Sequence, residues 1–264
     1  MLNLLKSELF RMRKRPQTWL LLVVAALFMA LFYGGPTVAT FFANDANAAD
    51  LKQNISLVDI RDFGLSLNSL FGGIMLAIFA AGLFGNEYSW NTIRPLLARA
   101  RSRSALLTAK LSAALLYTVA FTFALAALTV LFSFISTMVA GGDWGFTGER
   151  LLDVVWYTFG LVAVNLPYVA LAMLAAMWAK SNAAGIGVAI GLSILEPSLF
   201  GIFGRFSFVE DIQKGGLNQN TVDLLSNGLT SGDGWINLIV TLIYTGIFVA
   251  LAYRVFLRRD VTSG

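Results

Sequence analysis

Six long apolar stretches constrain this chain more than any other feature. They lie at about residues 19–41, 67–84, 106–139, 151–178, 183–203 and 235–257. A hydrocarbon core of roughly 30 Å is crossed by about 20 apolar residues in helical form. In lipid every backbone polar group must be satisfied within the segment, which leaves the α-helix for runs of this length. A soluble packing does not rescue the alternative: 57% of the residues are apolar and only 13% charged, against about a quarter charged in ordinary soluble domains. The expected fold class is an all-α membrane protein of six transmembrane helices, forming one domain over residues 1–264. The third stretch is long enough to tilt or to project beyond the bilayer.

The segments between the stretches alternate in charge. The N-terminus, the loop 85–110, Lys180 and the C-terminal Arg254, Arg258 and Arg259 hold most of the basic residues, against Glu8, Glu87 and Asp260. The segments 43–66, 140–150 and 204–234 hold most of the acids, including Asp45, Asp50, Asp59, Asp62, Asp143, Glu149, Glu210, Asp211, Asp223 and Asp233. Basic loops stay on the cytoplasmic side. Both termini are then cytoplasmic, as six spans require, and the protein is expected in the cell (inner, cytoplasmic) membrane. The net charge of +4 follows from this pattern, and no nucleic-acid partner is expected.

The N-terminus has a basic start and a small-residue Ala46-Asn47-Ala48 site, yet the apolar run reaches about Phe42. A secretory signal core spans only about 7–15 residues, so a retained first span is expected. Before it, Leu2, Leu5, Leu9 and Met12 recur at helical spacing within residues 2–15, with Lys6, Arg11, Arg13 and Lys14 mostly elsewhere on the wheel. This pattern predicts an amphipathic helix in the membrane interface, its basic residues toward lipid phosphates. Pro16 ends that helix and Trp19 sits at the interface. The segment 43–66 reads as polar and partly helical. The segment 204–234, rich in Gly, Asn, Ser and Asp, reads as an outer loop. Gly187 and Gly191 in the fifth span form a small-xxx-small pair suited to close helix approach.

Chemistry within the chain is sparsely supplied. With no cysteine and no histidine there is no thiol, and the commonest metal ligand and general base are missing. The pairs Lys6-Ser7 and Lys180-Ser181 lack the glycines of a phosphate-cradling loop. No enzymatic activity, no metal and no cofactor are expected in this chain. Inside the spans, Asn165, Pro167 and Glu196 stand out. Glu196, followed by Pro197, either lines a path or kinked helix end, or reaches outer water where the helix stops. Asn165 and Pro167 suit interhelical hydrogen bonding and helix packing, or a path.

The loop 85–110 carries a more specific pattern. It runs Glu87, four residues, Thr92-Ile93-Arg94, Leu96-Leu97, then Ser102-Arg103, Leu106-Leu107 and Lys110. This order resembles the first cytoplasmic loop of type-2 ABC transporter permeases. Those loops commonly read Glu, a spacer, Gly-Thr-Ile/Leu-Arg, a Leu pair, Ser-Arg, a Leu pair and a Lys entering the third span. Asn91 stands where the family often has Gly, and Ala100-Arg101 where a Pro-Val-like pair is frequent. About 25 residues match in detail, and the layout matches over the whole chain.

The resemblance implies the permease subunit of an ABC exporter, of the antimicrobial-peptide or drug-exporter kind. Two permease subunits, the same or related chains, would form the translocation path. Two separate ABC ATPase subunits would bind ATP and dock on a short coupling helix between spans two and three. On that reading Glu87, Thr92, Arg94, Leu97, Arg99, Arg103 and Lys110 couple the permease to the ATPase. Glu87 can pair with an arginine of its own loop or of the N-terminal helix, and the arginines can meet a soluble partner or membrane lipid. Two other readings of the sequence remain: a stand-alone channel or secondary carrier, and a non-transporting membrane accessory protein.

Overall fold

The computed structural model describes residues 2–99, 102–142, 144–145, 147–203, 212–229 and 231–258. Arg101, Asp143, Glu210, Asp211, Arg259 and Asp260 lie outside the described residues, as does the side chain of Arg99. The described elements are α1 (Leu2–Lys14), α2 (Pro16–Ala39), α3 (Asp45–Ile55), π-helical turns at Ile60–Leu65 and Asn68–Gly72, α4 (Gly73–Ser89), α5 (Ile93–Arg99), α6 (Arg103–Ala140), α7 (Gly148–Ala179), α8 (Asn182–Phe203), α9 (Leu217–Asn227) and α10 (Gly232–Arg258).

Among the described residues six helical stretches are long and apolar enough to cross a membrane: Pro16–Ala39, Ile60–Ser89, Arg103–Ala140, Gly148–Ala179, Asn182–Phe203 and Gly232–Arg258. The second begins earlier than its apolar run, because the two π-helical turns carry the charged Arg61 and Asp62 into the helix. All six tryptophans are exposed, and Trp19, Trp90, Trp144, Trp178 and Trp235 each lie within four residues of a span end. Indole rings favour the headgroup level.

The chain forms two compact units. One comprises Pro16–Gly72 and Val119–Val162. Its interior gathers Met29, Tyr33, Ile55 and Ala140 in one cluster and Leu57, Ile60, Leu65, Ala126 and Val154 in another. Gly64 is required here: a Cβ would clash with the Tyr33 ring, hydroxyl included, and the Thr129 methyl. Two buried hydroxyls of α6, Thr129 and Ser133, are hydrogen-bonded within the unit. Thr129 donates to the Leu125 carbonyl at 3.0 Å, Asn68 Nδ2 donates to Thr129 at 3.0 Å, and Ser133 donates to the Ile55 carbonyl at 3.0 Å.

The other unit comprises Met1–Arg15, Gly73–Thr118 and Ala163–Gly264. Here α8 packs on α4 and α7 through Gly185, where a Cβ would come within 2.6–2.8 Å of the Ala172 carbonyl, Ala81 and Ala176. Ala189, one turn on, is also buried. The close approach therefore uses Gly185 and Ala189; at Gly187 and Gly191, expected in that role, an added Cβ would meet none of the described residues within 4 Å. The turn from α7 to α8 is a helix-ending loop. Lys180 sits at φ 53°, the Ser181 N–H closes on the Ala176 carbonyl at 3.2 Å, and the Ser181 hydroxyl caps α8.

The segment expected as an outer loop contains a helix, α9. Its apolar side buries Leu217 and Leu224, the latter against Ala163 and Val164. Gly228 ends it at φ 76°, and the Ser231 hydroxyl accepts from the Gly234 N–H at the start of α10. Glu196 lies beyond neither helix end nor outer loop: α8 continues through Pro197 to Phe203, and the Glu196 carboxylate accepts the Asn218 N–H at 2.9 Å in the first turn of α9. A carboxylate at a helix N-terminus meets orphan N–H groups and the positive end of the dipole.

Candidate functional site

Three elements of the second unit bring five charged side chains together. The residue before Pro16, Arg15, extends the array begun by Glu8 and Arg11 on α1; Glu87 comes from the last turn of α4 and Lys110 from the second turn of α6. Lys110 is completely buried, and Glu87 and Glu8 nearly so. Lys110 Nζ lies 2.5 Å from Glu87 Oε1, 3.5 Å from Glu8 Oε2 and 3.1 Å from the Leu83 carbonyl. An ammonium has three donors, and each has an acceptor. The Phe84 ring lies 5.1 Å from the same nitrogen, within cation–π range.

The arginines close the array from α1. Arg11 pairs with Glu8 and reaches Glu87 Oε1 at 3.3 Å, and Arg15 reaches the same oxygen at 3.5 Å while donating to the Gly82 carbonyl at 3.5 Å. Glu87 Oε1 thus accepts from three cations. Its buried Oε2 accepts from no described residue. Buried charges are tolerated only when paired and hydrogen-bonded, and removing one partner leaves the others uncompensated.

The lead into α5 hangs from Glu87. The Thr92 N–H donates to the Glu87 carbonyl at 2.9 Å and the Thr92 hydroxyl to the same oxygen at 3.4 Å. Asn91 between them stands at φ 54°. Only Gly, and next Asn or Asp, adopt that conformation readily. This is the position where similar loops often carry Gly, and Asn meets the same backbone demand. Pro95 falls in the first turn of α5, where a missing N–H costs nothing.

Of the residues singled out in the loop, the structure brings Glu87 and Lys110 into direct contact and ties Thr92 to Glu87 through backbone. Arg94 is exposed at the start of α5, Leu97 is half-buried on it, and Arg103 is half-buried at the start of α6. Asn165 is buried in α7 with its Oδ1 where a Cβ on Gly73 would lie 3.1 Å away, and Pro167 is buried two residues on. Glu196 serves α9, as described above.

Of the two partners the sequence left open for Glu87, an arginine of its own loop or of the N-terminal helix, the structure brings up Arg11 of the N-terminal helix; Arg11 therefore turns inward and not only toward lipid. Glu8 and Arg15 were not anticipated in the cluster. The signal was present: Glu8 is the lone acid of α1 and falls among Leu4, Leu5, Leu9 and Met12, the face that packs inward. An acid in an apolar stripe, with arginines three and seven residues on, marks a buried ion pair.

Six apolar helices, with a buried ion cluster at the ends of α1, α4 and α6, define a multi-pass membrane protein. The chain belongs to the ABC-2 family: the family model described as ABC-2 family transporter protein matches residues 4–196, most of the chain and all five members of the cluster. It is an ABC transporter permease. No curated protein matches the chain.

Proposed function

We propose that this chain is the permease subunit of an ABC exporter, coupled through α5 to separate ATPase subunits. In this reading two permease subunits form the translocation path, and two ATPase subunits bind and hydrolyse ATP below them. Both termini, α1 and α5 are cytoplasmic, as the distribution of Lys and Arg requires.

The observation that carries the reading is the double attachment of Glu87. Its carbonyl holds the lead into α5, and its carboxylate holds α1 and α6 through Arg11, Arg15 and Lys110. A push on α5 therefore reaches the start of α6 through one residue. Exposed Arg94, with Arg103 at the start of α6, supplies cations for an acidic docking face. Thr92 and Leu97 seat the helix.

The test is isolation of the tagged chain from its native membrane under mild conditions. A stoichiometric nucleotide-binding subunit, lost from an Arg94→Ala/Leu97→Ala variant that still inserts in the membrane, is the expected result. Purification without any ATPase, repeated after crosslinking, would sink the proposal.

A further inference from the structure

We infer that the cleft between α9 and α10 is a binding site for a small, donor-rich cation, an amine bearing further N–H or O–H groups. The cleft measures about 720 Å³, within the range of about 300–1,000 Å³ that ligand sites occupy. Its wall differs from the usual apolar pocket. Gln213, Gln219, Asn227 and Asn237 contribute amides, Asp223 and Asp233 carboxylates, Lys214 an ammonium, and Ile236 an apolar patch.

The hydrogen bonds of the wall have a fixed direction. Gln219 Nε2 donates to Asp223 Oδ1 at 2.9 Å, and Gln213 Nε2 donates to Gln219 Oε1 at 3.2 Å. A carboxylate only accepts, so Gln219 must turn its nitrogen to Asp223 and its oxygen to Gln213. Among the described residues the relay leaves Gln213 Oε1 and Asp223 Oδ2 as acceptors, and Asp233 adds a second carboxylate from the first turn of α10. Two carboxylates against one ammonium, with amide oxygens beside them, suit a ligand that carries positive charge and many donors.

The walls are held in place. Leu224 is buried against Ala163 and Val164, Glu196 caps α9, Asn220 Nδ2 donates to the Lys214 and Gly216 carbonyls at 2.9 and 2.7 Å, and the Tyr244 hydroxyl donates to the Gly215 carbonyl at 2.8 Å. With six spans the cleft lies on the opposite side of the membrane from α1 and α5. It is separate from the ion cluster, and its occupancy needs no ATPase.

Calorimetric titration of the full chain in lipid nanodiscs tests this with three probes: spermidine, glucosamine and N-acetylglucosamine. A Kd below about 1 mM is expected for at least one cationic probe. Binding of spermidine alone identifies a polyamine site, of glucosamine alone an amino-sugar site, and of both a shared ammonium site. Loss of a charged acceptor weakens binding by about tenfold or more. That loss is expected for Asp223→Asn and for Asp233→Asn, and N-acetylglucosamine is expected to be weaker than its amine by a similar factor. Asp233 is exposed, so Asp233→Asn keeps the fold and decides the matter if Asp223→Asn does not. Asp50→Asn, an exposed acid of α3, leaves binding unchanged. The inference is overturned if neither cationic probe binds below about 1 mM, if Asp233→Asn leaves Kd unchanged, or if Asp50→Asn weakens binding as much.

Discussion

Lys110 has no water to fall back on. Its ammonium is completely buried, and Glu87, Glu8 and the Leu83 carbonyl are its entire surroundings of polar acceptors among the described residues. Lys110→Met should cost about 3–5 kcal/mol, because Glu87 loses its closest cation and Glu8 one of its two. The double variant Glu87→Gln/Lys110→Met should lose less than the sum of its singles, since the second change removes a charge already stranded. Thermal unfolding of the purified variants measures both. Asn91 offers a backbone test. Asn91→Gly should leave stability within about 0.5 kcal/mol, and Asn91→Val should cost about 1–2 kcal/mol at φ 54°. Equal melting temperatures for the two would contradict the role assigned to the turn. The amide of Asn165 and the ring of Pro167 carry no such test of coupling; both are buried in α7.

Among the elements, what sequence revealed and what it hid divide along physical lines. The spans were legible because lipid demands length and apolarity, which a run of letters displays directly. α9 was hidden because its stability is not local. Its residues are Asn- and Ser-rich, and its first turn is satisfied by Glu196, 22 positions earlier. Glu196→Ala should therefore fray α9 by about 1 kcal/mol, seen as faster amide exchange over 217–227 with α4 unchanged. The packing of α8 was misread for a related reason: glycine spacing gives a helix face, and only the neighbours decide which face is used. Gly185→Val should destabilise by about 1–3 kcal/mol through overpacking, whereas Gly187→Val, with nothing within 4 Å, should leave the melting temperature of the chain unchanged. Equal losses would mean that the glycine faces are reversed. Glu8 was legible in principle, as an acid inside an apolar stripe, but reading the stripe as lipid-facing concealed it.

For the whole molecule, family membership and the six spans are established, and the proposed action is that ATPase movement at α5 reaches the spans through the Glu87–Lys110 cluster. The chain has no cysteine, so one introduced thiol is the only one this chain carries, and its labelling is read on this chain after the subunits are separated. Ser198 is exposed near the end of α8 remote from the cluster, which makes Ser198→Cys a suitable reporter. The decisive measurement is the labelling rate of that thiol in the assembled transporter, with and without ATP, in the otherwise native chain and with Lys110→Met. The account predicts a rate that changes with ATP in the former and stays constant with Lys110→Met, while the ATPase subunits remain bound in both. An ATP response of full size with Lys110→Met, in a complex of unchanged composition, would contradict transmission through the cluster.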